Sequence, residues 1–294
     1  MGSPTADTAT TITQPGIYDG MPSDVYHADP VPGGSLSSSG ARLLLPPSCP
    51  ALFRHAQTAG RPPKAAFDFG HAAHRLVLGV GERIVRVDAQ DWRTKAAQQK
   101  RDQAYEDGAV PLLAHDYQQV QDMAAALRRD PIASALFNPE SGSPEQSLFW
   151  RDEHTAVWRR ARLDWLANRT DGRRLIVADY KTTASADPAA LSKSMHTYGY
   201  HQQGAWYLDA VTALGLTGGL EPAFVLIFQE KTPPYLVTVV QPDPVALRIA
   251  RERNAVALDT YRRCVTTGHW PGYADGVISL ALPPWAEREH ETRN

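Results

Sequence analysis

The sequence predicts an α/β (α+β) fold: a central mixed β-sheet flanked by helices, with an α-rich part ahead of it. Three observations carry that prediction. Residues 145–150, 158–166 and 175–181 are successive strand-like runs separated by turn residues. A further pair, 223–229 and 235–240, surrounds Lys231, Thr232, Pro233 and Pro234 as a second hairpin. Between and after these pairs lie two stretches of helical periodicity, 200–214 and 244–267, the latter read as the final helix.

The earlier elements follow in order. Residues 1–14 are small and polar and read as a disordered tail. Residues 16–27 read as a short extended opening and 30–34 as a loop. Ser37, Ser38 and Ser39 offer caps for a helix running from Ala41 to Leu45, which Pro46 and Pro47 stop. A second short helix is expected over 49–59. Over 65–79, Phe69, Ala72, Ala73, Leu76 and Val77 recur at helical spacing, with His74 at the edge of that stripe and Gly70 one turn earlier. Residues 84–87 read as a short strand. A polar helix over 92–104 bears Arg93, Lys95, Lys100 and Arg101, and an amphipathic helix over 117–129 stops before Asp130-Pro131. With no internal repeat and no linker, 15–294 reads as a single domain, mostly helical over 15–140 and sheet-bearing over 141–294.

The totals narrow the function classes. The chain has 294 residues, 43% of them hydrophobic, and a formal net charge of −2. Such neutrality gives no global attraction to nucleic acid, so any such affinity must come from a local patch. The two cysteines, Cys49 and Cys264, lie far apart without metal-ligand spacing. That argues against a disulfide scaffold, a zinc site or a cysteine-held iron–sulfur cluster, and fits a reducing cytoplasm. No apolar run reaches membrane-spanning length, no signal-peptide core opens the chain, and no GxxxxGK[ST] phosphate loop occurs.

The chemistry concentrates between Arg159 and Lys181. The apolar run over 175–178 ends in Asp179-Tyr180-Lys181, read as the exposed end of a strand. Strand alternation puts Asp179 and Lys181 on one face and Tyr180 on the other. On the partner strand Arg160, Arg162 and Asp164 share a face, and Asn168, Asp171 and Gly172 suit the connecting turn. Two carboxylates and an amine then converge, which suits a hard cation with an ammonium beside it. An Asp–Lys pair alone reads better as a surface ion pair, and His74 alone as a half-buried side chain bonded to a carbonyl; the neighbouring strand and its second carboxylate shift the weight. Glu145 is either another acid of the site or a polar strand end. Arg159, Arg160, Arg162, Arg169, Arg173 and Arg174 make this segment locally basic, as a phosphodiester substrate requires. Farther on, Tyr200, Gln203 and Tyr207 form one stripe of a helix, either a packing face or a row that orders the acidic site.

Taken in order, Gly70-x-x-x-His74, Glu145, Asp164, Asp179-x-Lys181 and Gln203-x-x-x-Tyr207 resemble the PD-(D/E)XK nuclease superfamily, with its restriction-endonuclease-like core. The branch is similar to RecB-type nuclease domains and, more closely, to RecE-type (exonuclease VIII-like) recombination exonucleases of phages. The stretches PGIYDGMPSDVYHADP, SLSSSGARLLLPPSCPALFRHA, ARLDWL…IVADYKTT and TYGYHQQGAWYLDAV carry that likeness. It implies Mg²⁺ or Mn²⁺ held by His74, Asp164, Asp179 and the main-chain carbonyl of Tyr180. It further implies Lys181 as the group that positions water, Glu145 as an assisting acid, and Gln203 and Tyr207 as groups that steady the site and contact DNA. Tyr200, Thr182, Arg160 and Arg162 are the supporting or DNA-contacting candidates. The implied activity is a metal-dependent exonuclease resecting linear double-stranded DNA ends, 5′ to 3′. Implied partners are a single-strand annealing recombinase and further copies of the chain in a ring; no membrane is involved. An endonuclease or nickase of the same fold and a catalytically silent DNA-end-binding module are the rival readings. Leu163 stands where the superfamily's name has Pro.

Overall fold

The computed structural model describes residues 11–59 and 65–291. The N-terminal part runs β1 (Gly16–Tyr18), α1 (Ser23–His27), β2 (Leu36–Ser37), α2 (Ser38–Leu43), α3 (Pro50–Thr58), α4 (Ala65–Leu78), β3 (Arg83–Val87), α5 (Lys95–Glu106), β4 (Ala109–Leu113), α6 (Ala114–Arg129) and α7 (Pro131–Leu136). The sheet-bearing part follows with β5 (Gly142–Arg151), β6 (Trp158–Ala167), β7 (Ile176–Thr183), α8 (Pro188–Thr197), α9 (Tyr200–Ala213), β8 (Ala223–Glu230), β9 (Val237–Val240), α10 (Pro244–Thr267) and α11 (Pro284–Glu291).

One seven-stranded sheet organises the chain, in the order β1-β5-β6-β7-β8-β9 with β2 added beside β6. Most neighbours are antiparallel, but β2 runs parallel to β6, and β7 and β8 are parallel. That parallel step requires a crossover, and α8 and α9 provide it. Both faces of the sheet are covered, which is why β8 reads as an unbroken apolar run. Its Phe224, Leu226 and Phe228 pack on one side with Trp206 of α9 and Ala257 and Leu258 of α10. Val225 and Ile227 pack on the other with Ala72 and Ala73 of α4 and Val120 and Met123 of α6. α9 approaches the sheet closely: a Cβ on Gly204 would stand 2.4 Å from the Phe224 ring.

Several expectations change. Residues 23–27 were expected to be extended but form α1, because Pro22 sets the entry and one turn carries Tyr26 onto Phe149, 6.1 Å between rings. A second, two-stranded sheet pairs β3 with β4, a strand that the sequence hides behind Pro111. Asp130-Pro131 begins a helix rather than only ending one: the Asp130 carboxylate accepts from the N–H groups of Ile132 and Ala133 and caps α7. α10 is not the final helix, since α11 follows it. Of the expected tail, residues 1–10 lie outside the described residues. Ile12, in contrast, is fully buried and donates its N–H to the Pro30 carbonyl at 2.9 Å. No described helix is long and apolar enough to cross a membrane.

The close seat of α9 yields a prediction. Alanine is favoured over glycine inside a helix by about 1 kcal/mol. Overpacking against the Phe224 ring costs about 1–3 kcal/mol and outweighs that gain. Gly204→Ala should therefore lower the urea midpoint of the protein; a raised midpoint would show that α9 has room to move off the sheet.

Candidate active site

The site begins where β6 and β7 part. Their register runs through Leu166↔Val177 and Trp165↔Ala178 and goes no further. Beyond it, the Tyr180 N–H donates to Asp164 Oδ2 at 3.0 Å, so a carboxylate replaces the next ladder partner. β6 is irregular at this point. Leu163 packs in the cluster under α9 and Trp165 in the one under α4, although residues two apart on a regular strand share a face. Opposite, Glu145 interrupts β5 with a left-handed φ of 49°, between the pairs Pro144↔Trp165 and Gln146↔Leu163. A non-glycine residue there is strained.

Helices from both faces reach this opening. From α4, His74 Nε2 lies 3.2 Å from Asp164 Oδ1, and His74 Nδ1 lies 3.8 Å from Glu145 Oε1. From α9, Gln203 Nε2 donates to Asp179 Oδ1 at 2.8 Å and to the Tyr207 hydroxyl at 2.9 Å. The Tyr207 hydroxyl in turn donates to the Arg162 carbonyl at 2.8 Å, tying helix to strand. The Tyr200 ring sits 5.7 Å from Lys181 Nζ. Lys181 pairs with Asp179 Oδ2, which receives no other partner. On the opposite face the Tyr180 hydroxyl donates to Gln229 Oε1 at 2.7 Å, and Gln229 Nε2 donates to the Met123 carbonyl at 2.8 Å. That buried chain pins the strand end, so Asp179 and Lys181 can present only their own face.

Asp179 was expected at an exposed strand end; it is completely buried. β8 pairs with β7 along its whole length, through Thr183↔Glu230, and α9 lies over this part of the sheet with Gln203 donating to Asp179, so the strand end is enclosed. Burial, with the charge of Asp164 beside it, pushes the Asp179 carboxyl up to about 6, against the pull of Lys181. Burial works against ionised Asp164 too, but His74, Lys181 and the Tyr180 N–H prevail and hold it near 2. For Lys181 and His74, burial favours the neutral form, yet the surrounding carboxylates raise both pKa values.

Two expected DNA-facing arginines are engaged within the fold. Arg160 pairs with Asp29 and donates to Ser35 Oγ at 2.8 Å. Arg162 Nη2 meets Glu145 Oε2 at 2.7 Å and Arg162 Nη1 donates to the Met21 carbonyl at 2.8 Å. Thr182 is half-buried near the end of β7. Sequence reasoning missed Gln229, although an amide closing the apolar run AFVLIF was its signal.

Among the described residues no three His, Cys, Asp or Glu side chains stand close enough together to coordinate an ion as they are. The donor chemistry nevertheless fits a hard divalent cation: two carboxylates, an imidazole and Glu145, with a buried carboxylate oxygen already facing an ammonium. Lys181 occupies the position of the positive charge and would have to leave Asp179 Oδ2 for an ion to bind.

The Tyr207 bridge is directly testable. Tyr207→Phe removes the buried hydroxyl that joins Gln203 to the Arg162 carbonyl, both partly buried, and should cost about 1–2 kcal/mol in urea unfolding. An unchanged midpoint would show that the bridge contributes nothing to seating α9.

Comparison with known proteins agrees with this architecture. A family model described as "PDDEXK-like domain of unknown function (DUF3799)" matches residues 38–281. Among solved structures the chain is similar to a "putative exonuclease" from Eubacterium rectale, with 14% identity, a TM-score of 0.57, and 86% of this chain and 92% of that one covered. At such identity the likeness is one of fold. An alkaline exonuclease from Laribacter hongkongensis covers 78% of this chain and 100% of its own, with 10% identity and a TM-score of 0.28, too low to bear on the argument. No curated protein matches the chain.

Proposed function

The chain belongs to the PDDEXK-like family DUF3799, and from that premise we propose that it is a divalent-metal-dependent nuclease that hydrolyses phosphodiester bonds of DNA. The observation that supports this most is the group of His74, Asp164, Asp179 and Lys181 at the opening between β6 and β7, steadied by Gln203 and Tyr207. A PD-(D/E)XK nuclease needs these residue types together in one place.

In this reading His74, Asp164, Asp179 and the Tyr180 carbonyl would hold Mg²⁺ or Mn²⁺, with Glu145 assisting. A bound divalent ion supplies charge neutralisation at the phosphoryl group and makes attack by water feasible near neutral pH. Lys181, freed from Asp179, would orient the attacking water by hydrogen bonding. Gln203 keeps Asp179 Oδ1 aimed by donating to it, and Tyr207 keeps Gln203 in place. Arg162 holds Glu145 through its charge and so fixes the acid that faces His74 Nδ1.

The finer reading is an exonuclease acting on linear double-stranded ends, 5′ to 3′, that leaves single-stranded tails for a single-strand annealing recombinase, as RecE-type enzymes of phages do. A ring of several copies belongs to the same reading. Fold does not fix these properties, since one nuclease scaffold serves many substrates.

Matched linear and covalently closed duplexes test the proposal, each incubated with Mg²⁺, Mn²⁺ or EDTA. Linear DNA should be degraded only with metal, and closed circles should survive. Asp179→Asn and Lys181→Ala should each reduce cleavage by at least about 100-fold, the scale on which loss of one electrostatic or proton-handling group slows such reactions. Cutting of the closed circle would replace the exonuclease with an endonuclease. DNA binding without cleavage under any metal would overturn the catalytic reading.

A further inference from the structure

Next to the site stands an aromatic side chain that none of these roles uses. Tyr198 closes α8 and is 56% exposed, although it lies against a buried centre. Its ring meets that of Tyr200 with centroids 5.6 Å apart and planes at 35°. Tyr200 in turn rests 5.5 Å from Phe228 and 5.7 Å from Lys181 Nζ. Two ring contacts thus lead from solvent to the ammonium of the site.

The mount of Tyr198 is fixed while its ring stays bare. Its N–H donates to the Ser194 carbonyl at 2.9 Å, and its own carbonyl accepts from the guanidinium of Arg42 on α2. The following residue, Gly199, has a left-handed φ of 68°, and a Cβ there would lie 2.7 Å from Arg42 Cδ. The turn Tyr198-Gly199-Tyr200 is therefore locked in shape by a second helix. A single exposed tyrosine is ordinary on a protein surface. A rigidly mounted pair of rings, one bare and one with its centroid 5.7 Å from the amine of the site, is a stacking platform: it gains base–aromatic contact while losing little conformational freedom.

We propose that Tyr198, backed by Tyr200, stacks on the nucleobase adjacent to the phosphodiester being cut and so positions that bond at Lys181, an inference that rests on the nuclease reading above. Every base presents a flat π face, so the platform selects for the presence of a base and for an unstacked strand end, not for a sequence.

The test uses linear duplexes that carry either an intact or an abasic nucleotide next to the first bond cut. The wild-type protein should cut the abasic duplex about tenfold more slowly, the effect of losing one base–aromatic stack. Tyr198→Ala should be about tenfold slower on the intact duplex and show no further loss on the abasic one, while Tyr198→Phe keeps wild-type behaviour. Wild-type rates in Tyr198→Ala, or a full abasic penalty on top of its own loss, would overturn the proposal. Should the wild type cut no DNA with any divalent ion, the nuclease reading fails separately, and stacking is then read by binding alone. In EDTA, an oligonucleotide ending in 2-aminopurine should be quenched by wild type and by Tyr198→Phe but not by Tyr198→Ala. Equal quenching by all three, or none by wild type, would refute the platform.

Discussion

A fully buried carboxylate at the end of β7 is the constraint around which the rest is arranged. Moving an unpaired carboxylate out of water is prohibitive, so Asp179 must be protonated, paired or bound to a cation. Here Lys181 pairs with it and Gln203 donates to it. Those two requirements explain the surroundings. β6 and β7 must separate to leave room, α9 must lie close enough for Gln203 to reach, and Tyr180 must be held on the far face so that the strand end cannot turn over. A carboxylate kept near 6 by burial and a lysine held charged by carboxylates form a centre that stores electrostatic cost. A divalent ion in the place of the ammonium would relieve that cost, as the proposed metal-assisted hydrolysis requires.

The basic character of the central strands has a different origin from the one their composition suggests. Arg159 is buried between Trp150 and Trp206, 4.7 and 3.9 Å from the ring centroids, and pairs with Asp152 and Asp209. Arg160 serves the loop around Asp29, and Arg162 serves Glu145. Three arginines of β6 thus hold the strand to its neighbours. Attraction of a polyanion has to come from elsewhere, and the platform formed by Tyr198 and Tyr200 offers contact of another kind, through bases rather than phosphates.

Much of this was legible in the sequence because it obeys simple periods. The alternation of Asp179, Tyr180 and Lys181, the helical stripe of Tyr200, Gln203 and Tyr207, and the place of His74 beside an apolar stripe all follow from local geometry. What stayed hidden depends on departures from those periods or on distant partners. ARLDWL reads as regular alternation, yet the strand changes face at Asp164, and no local signal marks that change. The left-handed Glu145 is equally silent, since nothing in SPEQS demands a positive φ. Burial of Asp179 depends on β8 and α9, supplied some 24 to 47 residues away in sequence. The turn at Tyr198 is held by Arg42, 156 residues earlier, a partner that no local pattern marks.

The central claim is that the buried acids hold a divalent ion in competition with Lys181. Mn²⁺ titration of the purified chain, followed by calorimetry and by electron paramagnetic resonance, tests it without relying on cleavage. The account predicts saturable binding by wild type, loss of that binding in Asp179→Ala, and binding at least as tight as wild type in Lys181→Ala, which removes the competing ammonium. Equal Mn²⁺ affinity in wild type and Asp179→Ala would contradict it.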